Sequence, residues 1–107
     1  MTFKALLAAA VLMAAPCAAF ANHATSAEEA FKEANDTMMH NMMQPMTGDP
    51  DKDFVTMMLA HHQGAVDMAK VELEYGKDPT LRALAEAIIA AQEKEIEEMQ
   101  EWLAAHP

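Results

Sequence analysis

Two adjacent histidines, His61 and His62, lie within a stretch of the chain that is rich in methionine. In an α-helix, Met57 and Met68 would share one edge with His61, and Met58 would share the other edge with His62. Thioether and imidazole donors together suit copper, above all Cu(I), whereas zinc and iron sites usually recruit thiolates, carboxylates or more imidazoles. These residue types at this spacing therefore predict a copper site on one helix.

A second methionine cluster precedes this stretch at residues 38–46, which read MMHNMMQPM. His40 and Met43 are three residues apart there, so on a helix they would form a two-ligand fragment. Methionine at helical spacing also serves as adaptable core filler, and an inward histidine is often only a hydrogen-bonded core residue. Leucine would pack as well as methionine in a core, so the two clusters together favour metal binding over packing alone.

The apolar pattern of residues 53–70 predicts how the histidine helix is oriented. At about 100° per residue, Phe54, His61 and His62 fall on one broad apolar arc. We therefore expect both histidines to face the protein interior. Gly64, next to them, leaves space that a larger side chain would fill.

Three helices are expected to position these residues. The first should run from Ser26, which has capping-box spacing, to about Gln44. Asp49 and Asp78 are candidate N-caps, each followed by a proline at the first helical position. These signals predict a second helix over 50–75, which Gly76 ends in the C′ position, and a third helix over about 79–104. The short connection requires an antiparallel hairpin, so the fold class is all-α.

The third helix carries a seam of apolar residues interrupted at its centre by Gln92, with Glu95 on its edge. A buried amide needs hydrogen-bond partners, and the inward polar groups across the hairpin are His61 and His62. Gln92 or Glu95 would then fix an imidazole tautomer and leave the other ring nitrogen free to bind metal. An exposed polar notch, or a device that sets helix register, is an equally good explanation of Gln92.

The first 21 residues have the pattern of a secretory signal peptide. Lys4 supplies a charged start, residues 5–15 an apolar run, and residues 19–21 a small-x-small cleavage site. The run is shorter than the roughly 20 residues of a membrane span. We expect cleavage after Ala21, a single domain over 22–107 that is periplasmic or secreted, and no membrane association afterwards. A lipid anchor on Cys17 is a poorer alternative, because the preceding proline does not suit lipoprotein processing.

The composition of residues 22–107 fits a soft metal in an oxidising compartment. The single cysteine of the chain lies in the predicted signal peptide, whereas all five histidines and nine of the 11 methionines follow it. Thiols are oxidised or paired outside the cytoplasm, so methionine and histidine are the better ligands there. With cleavage after Ala21, His23 would be second in the processed chain and would form a Cu(II) chelate with the α-amine, although the commoner third-position histidine is missing.

The chain is acidic, with 17 Asp and Glu against 7 Lys and Arg and a formal net charge of −10. This charge disfavours nucleic acid and anionic membrane surfaces as partners and favours cations and basic proteins. Many of the acids, such as Glu93 and Glu97, also fit a solvated helix face.

Paired motifs over residues 38–107 resemble one known family. They are Asp53-Phe54, the block His61-His62-Gln63-Gly64-Ala65, Met68-Ala69, and Gln92 with Glu95-Ile96, Met99 and Trp102-Leu103. The chain resembles the family catalogued as domain of unknown function 305. The resemblance implies a ferritin-like helical bundle and, from the CopM-like members, an exported copper-binding protein associated with copper resistance. It implies a ligand pool with Gln92 and Glu95 nearby: Met43, Met57, Met58, His61, His62, Met68 and Met99.

Two departures from the family pattern limit what the resemblance implies. The chain has one copy of the helical hairpin where some members have two, so a homodimer could complete the four-helix bundle. Ferritin-like di-iron proteins use Glu-x-x-His pairs, and this sequence contains none. We therefore do not expect an enzyme.

Two functions follow from the sequence. The first is a copper buffer or chaperone that holds Cu(I), or less readily Cu(II), and exchanges it with a copper-handling partner protein. The alternative is a helical interaction protein whose methionine-rich face binds partner segments. Metal binding predicts sulfur and nitrogen atoms that converge near His61, and partner binding predicts methionines spread along an exposed groove.

Overall fold

The computed structural model describes residues 26–107, which form three α-helices: α1 (Ala27–Met42), α2 (Pro50–Tyr75) and α3 (Pro79–Ala105). The predicted all-α fold class is confirmed. The bounds of α2 are those predicted, whereas α1 ends two residues earlier and α3 one residue later than expected. The predicted signal peptide, Cys17 and His23 lie outside the described residues.

Side-chain caps begin each helix where the sequence predicts. Ser26 Oγ accepts a hydrogen bond from Glu29 N at 3.2 Å. Asp49 Oδ1 accepts from Asp51 N at 3.0 Å, and Asp78 Oδ1 accepts from Leu81 N at 2.9 Å. Each cap satisfies a backbone N–H group that the first helical turn leaves without a partner.

Gly76 ends α2 as predicted, but not by the expected conformation. Its φ is −71°, so it does not adopt the left-handed geometry that is typical of a C′ glycine. Its N–H group donates to Glu72 O at 2.7 Å. The missing side chain matters for space instead, because a Cβ at this position would lie 2.6 Å from Glu72 O.

Helices α2 and α3 form the predicted antiparallel hairpin. At the turn, Arg82 Nη1 donates to Leu73 O at 2.7 Å and to Gly76 O at 3.0 Å. At the opposite end, Lys52 Nζ donates to Pro107 O at 3.2 Å. Bonds at both ends align the start of α2 with the end of α3.

Helix α2 is the centre of the described structure. Within residues 26–107, α1 and α3 each pack against α2 and do not pack against each other. The three helices therefore form a layer with α2 in the middle rather than a closed bundle. No described helix has the length and apolarity that a membrane crossing needs.

The buried apolar core is small. The buried hydrophobic residues among those described are alanines and valines, and Val66, at 2% exposure, is the largest fully buried side chain. Large apolar side chains lie at the surface instead, including Phe54, Leu81 and Leu84.

Candidate metal centre

His62 is the buried polar residue of the described structure, with 7% of its surface exposed. Its side chain points from α2 toward α3, where Nε2 contacts the Glu95 carboxylate. The predicted contact between an α2 histidine and Glu95 is therefore present. Glu95 lies on the edge of α3, and its side chain is 55% exposed.

The other ring nitrogen of His62 has no hydrogen-bond partner within residues 26–107. Nδ1 is buried and unpaired among the described residues, as is Oε1 of Gln92. In a neutral imidazole one nitrogen donates and the other accepts. If Nε2–H of a neutral ring donates to the Glu95 carboxylate, Nδ1 carries the lone pair. A buried acceptor without a donor is uncommon, and a water molecule or a cation is a partner that would satisfy it.

His61 does not face the interior, which corrects the expectation for the pair. It is exposed, and its ring centroid lies 6.2 Å from that of His62 in an edge-to-face arrangement. Adjacent residues of a helix diverge by about 100°. Once α3 packs over His62, His61 therefore points out of the layer.

The space beside Gly64 is filled by a side chain of α1, whereas it was expected to be open. A Cβ at Gly64 would lie 2.8 Å from Met38 Cβ, so the Met38 side chain of α1 occupies the surface that the glycine leaves open. Gly64 therefore permits close packing of α1 on α2. It does not open space next to an imidazole.

The α2 methionines are divided between separate places. Met57 lines a small cavity with Met42 and Met46, whereas Met68 lines an open groove with Phe31 of α1. Eleven residues along a helix correspond to about 16 Å, so one ion cannot contact both Met57 and Met68. Their sharing of a helix edge does not make them one site.

The cavity around Met57 is about the size of one water molecule. Its volume is about 10 Å³, close to the smallest volume that holds one water molecule. Three methionines line it, from the end of α1, the following loop and α2. The same loop is held by Asp53, whose Oδ1 accepts from Thr47 N at 2.8 Å.

The other predicted ligands lie apart from His62. Met99 lines a second groove with Phe54 and Trp102, and Met58 is half-buried on α2. His40 and Met43 are exposed at the end of α1, with Met43 77% exposed. Among the described residues, no three or more histidine and acidic side chains converge into a group that could hold a metal ion.

Met42 and Met46 were not among the predicted metal ligands. Their signal was present, since they flank Pro45 and are four residues apart. Pro45 ends the helical pattern, so the spacing alone did not place Met46 on a shared face with Met42. The turn of the loop toward α2 brings them together.

The described residues define an all-α protein with a central helix that carries a buried histidine paired with a carboxylate of the neighbouring helix. The chain belongs to the family described as Domain of unknown function (DUF305), whose family model matches residues 3–103.

One relative carries part of the same sequence. The uncharacterized protein L153 of Acanthamoeba polyphaga mimivirus is 40% identical over 53 residues, which are 50% of this chain and 35% of that protein. The chain therefore spans about a third of the length of the curated relative that it matches.

Proposed function

We propose that the protein is an exported copper-binding protein that buffers Cu(I) or passes it to a copper-handling partner. The observation that carries the proposal is the state of His62. Its Nε2 contacts Glu95, and its Nδ1 is buried without a partner in the described part of the chain. A histidine that ligates metal through one nitrogen commonly donates from the other to a carboxylate.

The donors near α2 supply the second argument. Met42, Met46 and Met57 are three of the residues that line a cavity of atomic size, and thioether sulfur is a soft ligand that selects Cu(I). The acidic chain favours cations over anions in its surroundings. Export rests on the predicted signal peptide alone.

Competition for Cu(I) under anaerobic conditions tests the proposal. Purified protein is titrated against a chromophoric Cu(I) chelator, with Zn(II) and Cu(II) run in parallel. We expect Cu(I) uptake in preference to Zn(II), and at least tenfold weaker uptake by His62→Ala. His106→Ala is the matched control, because His106 stacks on Trp102 at the end of α3 with a centroid distance of 4.1 Å. Failure of the wild-type protein to compete at neutral pH would reject copper binding.

The interaction-protein alternative has one observation in its favour, the open groove that Met68 lines. The groove has a volume of about 300 Å³, and most of its lining is aliphatic rather than methionine. A protein that used a methionine-rich face for many partners would concentrate its methionines there. Here they are divided between separate cavities.

A further inference from the structure

One face of the α2–α3 hairpin carries exposed apolar side chains near both ends, with Glu72, Glu95 and Glu98 on the same side. We call it the open face and define it by residues that point to the same side of the two helices. Phe54 and Glu72 are 18 residues apart on α2, and Leu84 and Trp102 are 18 residues apart on α3. Eighteen residues make five full helical turns, so each pair points in one direction over about 27 Å.

The large side chains of the open face are far from buried. Phe54 is 62% exposed, and at the other end Phe31, Leu81 and Leu84 are 40%, 51% and 53% exposed. If a fully exposed side chain of this size presents roughly 150–200 Å², these four leave on the order of 400 Å² uncovered. This area is divided between the two ends of the face and is within the range of exposed apolar patches on monomers, which are often functional.

The two ends of the open face have complementary shapes. One end carries the protruding Phe54 beside Trp102. The other end is the groove of about 300 Å³ between Phe31, Met68 and Leu84. A cavity of about 150 Å³ is enough to hold a benzene ring, so this groove can accept a phenyl side chain.

A two-fold axis would bring the complementary ends together twice. Along α2, His61 lies midway between Phe54 and the α2 residues that line the groove, Ala65 to Glu72. Seven residues after Phe54, His61 points within about 20° of the same direction. An axis at His61 would place Phe54 of each copy in the groove of the other, which is the self-complementarity that a two-fold dimer requires.

The small size of the core indicates that a second copy of the chain covers the open face. The described chain buries alanines and valines and leaves its two described phenylalanines and two of its leucines, Leu81 and Leu84, exposed. A domain of this length has little stability to spare. A partner that is present only at times cannot supply stability that the fold always needs, whereas a second copy is always available.

We propose that the open face is the interface of a two-fold homodimer, in which Phe54 of each copy enters the groove of the other and the two His61 side chains meet near the axis. About 800 Å² per copy is typical of a stable dimer, so the interface extends beyond the four exposed side chains along α2 and α3. Glu95, on the same side of α3, would be covered together with His62.

Sedimentation equilibrium tests the proposal. The sample is the processed, metal-free protein in a buffer that contains a chelator. We expect a dimer that tightens with added salt, because salt screens the repulsion between two acidic copies. Phe54→Glu and Leu84→Glu should each raise the dissociation constant of the dimer at least a hundredfold. Ala90→Glu is the control, since Ala90 is exposed about 120° around α3 from Leu84.

A second measurement covers variants that fail to fold. The thermal midpoint of the wild-type protein should rise with protein concentration if folding and dimerisation are coupled. His61→Cys should be joined to its partner by a short thiol cross-linker, whereas Ala90→Cys should not. A folded monomer with a midpoint that is independent of concentration overturns the proposal. A dimer that survives both glutamate substitutions, or a monomer whose open face carries another protein, also overturns it. None of these outcomes depends on copper, so the dimer and the copper proposal can fail separately.

Discussion

His62 of α2 and Glu95 of α3, 33 residues apart in sequence, meet between the two helices through Nε2 and a carboxylate oxygen. The contact joins a buried imidazole to a carboxylate that is still half in solvent. It holds the imidazole in one orientation and determines which nitrogen remains for a ligand. Both helices are therefore needed to define the candidate metal centre.

Glu95→Gln should weaken Cu(I) binding about 10- to 100-fold, which is typical for loss of a carboxylate behind a metal-binding histidine. The glutamine can still accept a hydrogen bond from His62, so the fold should be retained. Competition with a Cu(I) chelator measures the change, and Glu93→Gln, which is exposed on the same helix, is the control. Equal affinity in the two variants would exclude Glu95 from the site.

Replacement of Met42, Met46 and Met57 by leucine should lower the number of Cu(I) ions bound per chain. Leucine keeps the apolar character and nearly the volume of methionine but has no sulfur. Stoichiometric titration and X-ray absorption at the copper edge measure the loss of sulfur ligands. The matched control is Met39→Leu on the exposed side of α1. An unchanged stoichiometry would show that these three methionines contribute to packing and do not bind copper.

Gly64→Ala should destabilise the protein by about 1–3 kcal/mol, because an added methyl group would overlap the Met38 side chain. The higher helix propensity of alanine offsets at most about 1 kcal/mol. Urea denaturation gives the free energy of unfolding. The double variant with Met38→Ala should lose less than the sum of the two single variants, and strict additivity would show that the two side chains are not coupled.

Asp53→Asn should loosen the loop between α1 and α2. The backbone N–H of Thr47, together with its hydroxyl and the N–H of Gly48, donates to Asp53 and holds the pKa of this carboxyl below its ordinary value of 3.8. The ionised carboxylate therefore stabilises the fold at pH values above 3.8, and this stabilisation is lost as the pH falls through the lower pKa of the folded protein. The difference in thermal midpoint between wild type and variant should be largest near neutral pH and should shrink below pH 3.8. A difference that is constant with pH would contradict this account.

The interior of the candidate site could be predicted only in part. The sequence indicated that an α2 histidine would meet Gln92 or Glu95, and Glu95 makes that contact. It did not indicate which histidine, since both lie on one broad apolar arc. A rotation of α2 by a fraction of a turn exchanges them, and the packing of α3 determines that rotation.

The three helices, their caps and the antiparallel hairpin could all be predicted from local sequence signals. Capping side chains, prolines and apolar periodicity act within a few residues, so they can be recognised without neighbours. The exposure of His61, the packing of Met38 over Gly64 and the grouping of Met57 with Met42 and Met46 could not be predicted in this way. Those outcomes depend on the rotation and axial register of one helix against another, which arise from contacts between residues distant in sequence.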